Sequence, residues 1–392
     1  MKTYRGSWLF RVGALIVCVL GVNAFGSSAP QYVLTNDDAA FPFLTGVTFY
    51  TVGANGLPVL LKQLPTGGFG IGGGYFGSNR ISVLNTTDQQ CIYAAEAAND
   101  DIVGISVNTL TLGGSASGSA TDGGTSNGIG LAMNATYLYA SFTDSNTIGT
   151  FAVGSGCSLT FLSDTAVSGK QGGIINAMAV RGNILVATYT DGSIESFDIS
   201  GGTPVSHGDK QFSSATLKSQ YSTYPNSIDI TSDGHFAIFG GTSTTVVVEV
   251  SDISSGKLAK TVSYGFSGSI SSSNLMLSPD ETLLYVVNTQ GDTVTALFFD
   301  KNTGTVSTGC TSGKLRGQSQ GWSYLGGAAL VSQTGNGGGV YVAEFGANSG
   351  IALVTLTASG QTCSMQEAPK SPVADLNSPG LLSIGTFPPR SF

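Results

Sequence analysis

Short segments in which apolar and polar residues alternate recur along the chain, and each of them ends in a tight polar turn. Six such strands align, and they begin at Cys91, Tyr137, Ile184, Phe236, Leu283 and Val340. The anchor residues of this alignment, the third of the first five strands and the second of the last, are Tyr93, Tyr139, Val186, Ile238, Tyr285 and Tyr341, which lie 46, 47, 52, 47 and 56 residues apart. Periods of this size are typical of the blades of a β-propeller.

Each aligned strand has a shorter apolar segment before it and another alternating strand after it. The preceding segments are residues 80–84, 130–133, 177–180, 227–230, 274–277 and 327–331. A fourth strand follows a glycine-containing turn, as in SLTFLSD from Ser158 and KLAKTVS from Lys257. Four short strands in every repeat predict a four-stranded antiparallel blade whose first strand lies innermost.

The two ends of the chain complement each other. Residues from Tyr32 onward supply three strands of a blade without the innermost one, whereas residues 381–387 form one spare apolar strand after the last repeat. Joining them closes the ring and covers two open sheet edges. We therefore predict an all-β fold in which residues 27–392 form a single seven-bladed β-propeller, closed by the C-terminal strand joining blade 1. Six or eight blades are the alternative.

The first 26 residues are predicted to be a cleavable signal peptide. Lys2, Arg5 and Arg11 precede an apolar run over residues 12–22, which is short for a membrane span, and small residues follow it. A lipoprotein acylated at Cys18 is the less favoured alternative, because Val17 is large for the position before such a cysteine. We expect a secreted or periplasmic protein with no membrane span.

Composition and charge narrow the class of protein. The chain has 56 glycines and only 10% charged residues, but 41% of its residues are hydrophobic, which favours a packed β-rich core over helices. The formal net charge is −8, and the leader carries three of the 16 basic residues and no acidic one. Because Lys and Arg are not clustered, nucleic acid is not expected as a partner.

Four cysteines follow the leader, namely Cys91, Cys157, Cys310 and Cys363, and an even number in an exported chain suggests two disulfides. Three pairings are open, and Cys91–Cys157 with Cys310–Cys363 is the one that keeps partners in neighbouring repeats. The repeat alignment places Cys91 in the turn between the first two strands of blade 2. Because the chain has no CxxC pair and only two histidines, neither zinc ligation nor redox catalysis is expected.

Residues 277–307, LSPDETLLYVVNTQGDTVTALFFDKNTGTVS, resemble the seven-bladed lactonase propellers with YVTN-type repeats, the family of bacterial 6-phosphogluconolactonases and fungal carboxymuconate-lactonising enzymes. A Ser-Pro-Asp turn followed by LYV carries the resemblance, and residues 230–250 repeat it less closely. The resemblance implies the seven-bladed fold and a lactone-converting activity. In that family a His-Pro-His segment opens one inner strand, and here Tyr224, Pro225 and Asn226 stand in its place, so the family's general base is missing.

Ligands of propellers usually bind at the mouth of the central channel, where loops between blades meet the turns between second and third strands. The acidic residues predicted there are Asp37, Asp38, Asp100, Asp101, Asp144, Asp191 and Asp292. Asp and Asn also shape tight turns without any ligand, which is the favoured interpretation. The alternative is an acidic rim that binds Ca²⁺ or a cationic ligand, and no other cofactor is expected.

Two pairs of residues are the candidates for catalysis. Glu96 and Glu344 stand in the same column of the repeat, in the blades on either side of blade 1, and could act as acid and base. Arg80 and Arg316 precede inner strands and could hold an anionic sugar or a carboxylate. The candidates for ligand binding are Tyr189, Tyr224, Asn226, Asn288, Trp322 and Tyr324.

Two functions follow from these patterns. The favoured one is a monomeric binding or interaction module that takes a carbohydrate, a small lactone or an extracellular protein at its channel-mouth loops. The alternative is a diverged lactone hydrolase or isomerase that uses Glu96, Glu344, Arg80 and Arg316 on a sugar or aromatic lactone.

Overall fold

The computed structural model describes residues 30–37, 45–70, 80–118, 129–212, 225–241, 246–266, 272–288, 291–317, 324–334, 337–345, 350–374 and 383–389. Residues 209, 211, 212, 225, 226, 246, 247, 272, 273, 324–334, 337 and 345 are described by their backbone alone. The described residues form seven antiparallel sheets arranged as the blades of a ring.

The strands are numbered along the chain. Blades 1 to 3 contain β1 (Tyr32–Asn36), β2 (Gly46–Val52), β3 (Pro58–Pro65), β4 (Ile81–Asn85), β5 (Gln90–Glu96), β6 (Asp101–Ser106), β7 (Thr111–Ser117), β8 (Ile129–Met133), β9 (Tyr137–Phe142), β10 (Thr147–Val153) and β11 (Leu159–Ala166). Blades 4 and 5 contain β12 (Ile175–Arg181), β13 (Ile184–Tyr189), β14 (Ser193–Asp198), β15 (Val205–Phe212), β16 (Pro225–Ile230), β17 (Phe236–Gly241), β18 (Val246–Asp252) and β19 (Thr261–Phe266).

Blades 6 and 7 complete the ring. They contain β20 (Ser272–Leu277), β21 (Leu283–Asn288), β22 (Thr293–Asp300), β23 (Thr305–Thr311), β24 (Tyr324–Thr334), β25 (Gly337–Phe345), β26 (Gly350–Ser359), β27 (Thr362–Glu367) and β28 (Val373–Ala374). The last strand is β29 (Ser383–Phe387), and two short 3₁₀ turns cover Ala97–Asn99 and Ser155–Cys157. The prediction of seven four-stranded blades is confirmed, apart from the small additional strand β28 beside β26 in blade 7.

Blade 1 closes the ring as predicted. Its order is β29, β1, β2, β3, so the C-terminal strand supplies the inner strand that the N-terminal segment lacks. Val33 pairs with Thr386, and the N–H of Gln31 donates to the carbonyl oxygen of Phe387 at 2.7 Å. The edge of β1 that would otherwise be open is therefore covered by main-chain hydrogen bonds.

The hydrophobic core lies between neighbouring blades. The aligned tyrosines Tyr93, Tyr139, Tyr285 and Tyr341 are all almost completely buried. Tyr93 of blade 2, for example, belongs to the same cluster as Leu131 and Phe151 of blade 3. Alternation along each strand thus sends one set of side chains toward each neighbouring sheet, which explains why the apolar repeat is so regular.

Two disulfides join neighbouring blades with the predicted pairing. Cys91–Cys157 connects blades 2 and 3, and Cys310–Cys363 connects the outer strands of blades 6 and 7. Cys157 lies between the third and fourth strands of blade 3. The placement of Cys91 in a turn was wrong: Cys91 is the second residue of β5, because the ladder continues to the pair Asn85 and Gln90 and the turn is confined to the four residues between them.

Candidate functional site

The two faces of the ring differ in the connections they carry. At one face, here called the upper face, second strands turn into third strands and each fourth strand leads into the next blade. The opposite, lower face carries the turns between first and second strands. Glu96 and Glu344 end β5 and β25 at or near the turns of the upper face, and Arg80 and Arg316 lie in the loops that enter blades 2 and 7 there.

Glu96 lies at the junction of blades 1 and 2 and is 4% exposed. Its Oε1 accepts hydrogen bonds from Thr45 Oγ1 and from the N–H of Gly68, both at 3.2 Å. Gly68 packs so closely that a β-carbon there would stand 2.1 Å from Glu96 Oε2. The absence of a side chain at position 68 therefore allows the loop from blade 1 to cover the carboxylate.

A pocket of about 310 Å³ opens beside Glu96. It lies between the loop that leaves blade 1 and the outer half of blade 2. The residues that line it are Thr66, Gly67, Gly68, Glu96, Asn99, Asp101, Val103, Leu112, Gly114 and Ser115. None of these lining residues, all of which belong to the described ranges, is basic, so the pocket carries the two carboxylates of Glu96 and Asp101 and several neutral polar groups.

Arg80 is buried at the start of the inner strand of blade 2, with 1% of its surface exposed. Its N–H donates to Ser383 Oγ at 3.1 Å, and its carbonyl oxygen accepts from the N–H of Ala95 at 3.0 Å. Burial lowers the pKa of the guanidinium to about 10. The backbone of Arg80 thus ties blade 2 to the strand that closes blade 1.

Glu344 lies at the junction of blades 6 and 7, is 1% exposed, and has no hydrogen-bond partner for either carboxyl oxygen among the described residues. Burial, and then the charges of Glu367 and Asp292, raise the pKa of this carboxyl to about 8. Arg316 and the nearby N–H of Gly317 oppose this shift. Glu344 is therefore a carboxylic acid that retains its proton near neutral pH.

Arg316 belongs to the same junction as Glu344. Its Nε lies 3.2 Å from Glu367 Oε2, its N–H donates to that oxygen at 2.6 Å, and its Nη2 donates to the carbonyl oxygen of Ala368. Lys314 lies 3.8 Å from Asp292 Oδ2. Burial raises the pKa of Asp292, against the effect of Lys314. The structure thus brings Arg316 and Glu344 together, whereas Glu96 and Arg80 lie at the junction of blades 1 and 2.

Tyr189 and Asn288, two candidates for ligand binding, are completely buried. The Tyr189 hydroxyl donates to Glu195 Oε2 at 2.6 Å, and its pKa is raised by burial and then by the charge of Glu195. Asn288 Nδ2 donates to Thr293 Oγ1 at 3.1 Å and to Thr295 Oγ1 at 2.9 Å. Both side chains have partners within their own blades, and their role in ligand binding stays a prediction.

The structure does not describe the side chains of the other four candidates for ligand binding. Tyr224 and Trp322 lie outside the described residues. Asn226 in β16 and Tyr324 in β24 are described by their backbone alone. Their predicted contacts with a ligand therefore stay predictions.

Several of the acidic residues expected at the rim stabilise turns and loops. Asp191 Oδ2 accepts the N–H groups of Gln171 and Gly173, and its Oδ1 accepts both the N–H and the hydroxyl of Ser193. Asp37 accepts hydroxyl hydrogen bonds from Thr35 and Thr48. Asp38 lies outside the described residues. Within the described ranges, no three His, Cys, Asp or Glu side chains are grouped closely enough to hold a metal ion.

The central channel holds a second cavity, of about 360 Å³. Aliphatic and polar residues of the inner strands line it, and the charged residues in the lining are Asp229 and Arg181. Asp229 Oδ2 accepts the N–H of Leu277 at 2.8 Å and so joins the inner strands of blades 5 and 6. Sequence reasoning missed Asp229. The signal that could have found it is a charged residue inside the apolar segment 227–230.

Seven four-stranded blades around a channel, closed by strands from both ends of the chain, define a seven-bladed β-propeller. The model of the lactonase family of seven-bladed β-propellers matches residues 82–372, and the chain belongs to this family. No functionally curated protein matches the chain. Within the described ranges we find no helix with the length and apolarity that a membrane span requires.

Solved structures show the same fold at low sequence identity. A proposed 6-phosphogluconolactonase from Bacteroides fragilis is 14% identical, with a TM-score of 0.63 over 90% of this chain and 97% of that chain. A protein of unknown function from Desulfotomaculum acetoxidans is 14% identical, with a TM-score of 0.60 over 91% and 98%. A proposed 6-phosphogluconolactonase from Bacteroides uniformis is 11% identical, with a TM-score of 0.55 over 71% and 80%.

Proposed function

We propose that this protein is an exported binding module whose ligands bind at the upper face of the propeller. The observation that carries the proposal is the division of the four candidate catalytic side chains between two junctions. Glu96 contacts Thr45 and Gly68 between blades 1 and 2, whereas Glu344 lies against Gly317 between blades 6 and 7. An acid and a base act together only when both reach the same reacting atoms.

The surroundings of these residues also support binding over catalysis. Arg80 is buried and its backbone joins blades 1 and 2, and Arg316 is paired with Glu367. The pocket beside Glu96 offers hydroxyl, amide and carboxylate groups together with small apolar surfaces, and these groups can hydrogen-bond to a small polar ligand. A carbohydrate is the class of ligand that fits these groups best.

Export is part of the proposal. Two disulfides between neighbouring blades are typical of proteins that leave the cytoplasm, where thiols are kept reduced. The predicted signal peptide over residues 1–26 and the predicted monomeric state belong to the same proposal. N-terminal sequencing of the secreted protein and light scattering after gel filtration test them.

A diverged lactonase is the second candidate, and one observation favours it. The Glu344 carboxyl keeps a proton at neutral pH and could act as a general acid in a family of lactone-converting enzymes. Two observations argue against this candidate. The segment Tyr224, Pro225 and Asn226 stands in place of the family's histidines, and Glu344 is buried.

One pair of assays separates the two functions. Purified mature protein is tested for opening of a panel of sugar and aromatic lactones, and for binding of the matching sugars, with the Glu96→Gln/Glu344→Gln double variant in parallel. We expect sugar binding without turnover. Turnover in the wild type that disappears in a folded double variant would overturn the binding module and establish the enzyme.

A further inference from the structure

A loop on the upper face covers Glu344. This covering loop, residues 312–317, leads from the outer strand of blade 6 toward blade 7. Glu344 lies beneath it and is 1% exposed, and a β-carbon at Gly317 would stand 1.4 Å from Glu344 Oε2. The glycine therefore lets the main chain of the loop lie directly on the carboxyl group.

The carboxyl group of Glu344 is buried without a hydrogen-bond donor. Neither of its oxygens has a hydrogen-bond partner among the described residues. Glu195, a buried carboxylate of blade 4, shows the contrast, because it accepts hydrogen bonds from the hydroxyls of Tyr189 and Ser206. An ionised carboxylate that loses its hydration needs such donors or a cation, whereas a neutral carboxylic acid needs them far less. The closed junction therefore favours the protonated form of Glu344.

Two other carboxylates face Glu344 from neighbouring elements. Asp292 belongs to the turn before β22 in blade 6, and Glu367 ends β27 in blade 7. Their charges raise the pKa of Glu344, in addition to the larger effect of burial. Ionisation of Glu344 would thus place a third negative charge at this junction.

The basic side chains near this junction are already engaged or exposed. Arg316, in the covering loop, lowers the pKa of the buried carboxyl, but its Nε lies 3.2 Å from Glu367 Oε2. Lys314 Nζ lies 3.8 Å from Asp292 Oδ2. Lys370, which follows β27, is exposed to solvent. The two basic groups of the loop therefore pair with the two neighbouring carboxylates and not with the buried one.

Main-chain hydrogen bonds fasten the covering loop to the same two acidic residues. The N–H of Leu315 donates to the carbonyl oxygen of Asp292 at 2.9 Å, and the N–H of Arg316 donates to Glu367 Oε2 at 2.6 Å. Ionisation of the buried carboxyl therefore acts on groups that hold the loop closed. The strands on either side, β23 and β27, are joined by the disulfide between blades 6 and 7, so the loop can move while these strands stay in place.

We propose that the covering loop is a pH-operated flap, which is closed while Glu344 carries its proton and opens when Glu344 releases that proton to solvent. Opening lets water hydrate the carboxylate and moves the negatively charged groups apart, which the closed loop does not allow. This inference goes beyond the proposed function, because the flap responds to pH whatever the upper face binds.

The direction of the pH effect follows from the two states of the loop. In the closed state the pKa of Glu344 is raised from 4.5 to about 8, whereas hydration in the open state brings the pKa back toward 4.5. The preference for the closed loop is therefore fully present below about pH 4.5 and is lost as the pH rises to about 8.

Hydrogen-exchange mass spectrometry of the wild type and Glu344→Gln, from about pH 5 to about 9, tests the flap. Glutamine keeps the size of the side chain and cannot ionise. The ratio of the exchange rates of the two proteins at each pH cancels the intrinsic pH dependence of exchange. For the covering loop, we expect this ratio of wild type to variant to rise by up to about tenfold per pH unit between about pH 5 and 8, and to level off above that range.

Two controls accompany this measurement. Residues 66–70 cover Glu96 in blade 2 as the covering loop covers Glu344, but Glu96 accepts hydrogen bonds from Thr45 and Gly68, so the ratio there should not change with pH. Asp292→Asn removes a charge that faces Glu344 and keeps the main-chain carbonyl that holds the loop. This variant should show a weaker dependence of loop exchange on pH than the wild type.

A ratio that stays constant from about pH 5 to 8 overturns the flap. An equal rise in the covering loop and in residues 66–70 also overturns it, because such a rise reports opening of the whole propeller. If Glu344→Gln does not fold, the comparison of the two segments within the wild type decides the question. Loop exchange that accelerates with pH only over Glu344 supports the flap.

Discussion

The carboxyl group of Glu344 lies directly against the α-carbon of Gly317, so that a β-carbon at position 317 would stand 1.4 Å from Glu344 Oε2. Glu96 and Gly68 repeat this relationship in blade 2, with 2.1 Å for the same distance. In both cases the loop that enters a blade covers a glutamate at the end of its second strand. The two glutamates differ in their surroundings, because Glu96 accepts hydrogen bonds and Glu344 accepts none from the described residues.

Replacing Glu344 should change how stability depends on pH. Burial, followed by the charges of Glu367 and Asp292, raises its pKa from 4.5 to about 8. The native state therefore keeps a proton that the unfolded chain loses, and this contribution is present below about pH 4.5 and is lost as the pH rises through about 8. We expect the melting temperature of the wild type to fall between these values more steeply than that of Glu344→Gln.

Thermal melts followed by circular dichroism across this range measure the difference. Asp88→Asn, at an exposed position, serves as the control and should keep the wild-type pH dependence. Parallel curves for the wild type and Glu344→Gln would show that Glu344 is ionised in the native state at neutral pH.

The contribution of Asp191 to stability should depend on pH in the opposite direction. Burial raises its pKa, but hydrogen bonds from the Ser193 hydroxyl and from three N–H groups outweigh this effect and hold the pKa below 3.8. Its contribution is present at neutral pH and is lost as the pH falls through the native pKa. Asp191→Asn should cost about 1–2 kcal/mol at pH 7 in urea unfolding, and the difference from the wild type should narrow below pH 3.8. A difference that is constant with pH contradicts this prediction.

Gly104 allows the turn that carries Cys157 to cross over blade 2. A β-carbon at position 104 would stand 1.9 Å from the carbonyl oxygen of Cys157. Because backbone atoms cannot yield as a flexible side chain can, Gly104→Ala should cost about 1–3 kcal/mol of the free energy of unfolding. Gly201→Ala is the matched control, since a β-carbon there meets nothing within 4 Å. Equal unfolding midpoints for the two variants in urea would refute the prediction.

The disulfide Cys91–Cys157 should stabilise the contact between blades 2 and 3. It links residues 66 apart, and closing a loop of this length restricts the unfolded chain. The Cys91→Ser/Cys157→Ser variant should lose about 2–4 kcal/mol of the free energy of unfolding. Reduction of the wild type should lower its unfolding midpoint at least as far as the double substitution does. Loss of stability in the variant without any effect of reductant would point to packing, not to the bond.

The fold could be predicted well from the sequence because the same alternation of apolar and polar residues occurs in every repeat. Tyr93 and Tyr139 fill equivalent places between blades, so each repeat supports the interpretation of the others. The spare strand at residues 381–387 and the incomplete first blade could be matched for the same reason. Cys91 was misplaced by a few residues because the length of a turn depends on which residues pair at its end, and periodicity does not specify this.

The candidate site was predicted in part. Glu96 and Asp101 were both singled out, but their shared pocket requires the Gly67 and Gly68 loop of blade 1, which lies about 30 residues away along the chain. Glu344 was singled out, but its coupling to Asp292 and Glu367 depends on side chains from two blades. A repeat alignment places residues on a face of the ring, whereas contacts across a junction depend on loops that differ between repeats.

Closure of blade 1 by β29 also determines when the protein can complete its folding. Val33 finds its partner in Thr386, more than 350 residues later in the chain, so all the blades between them are synthesised before that pair can form. The nascent chain therefore carries an open arc of blades with an unpaired strand at its start. Contacts this distant in sequence form slowly, so an edge that favours aggregation stays exposed until β29 pairs with β1.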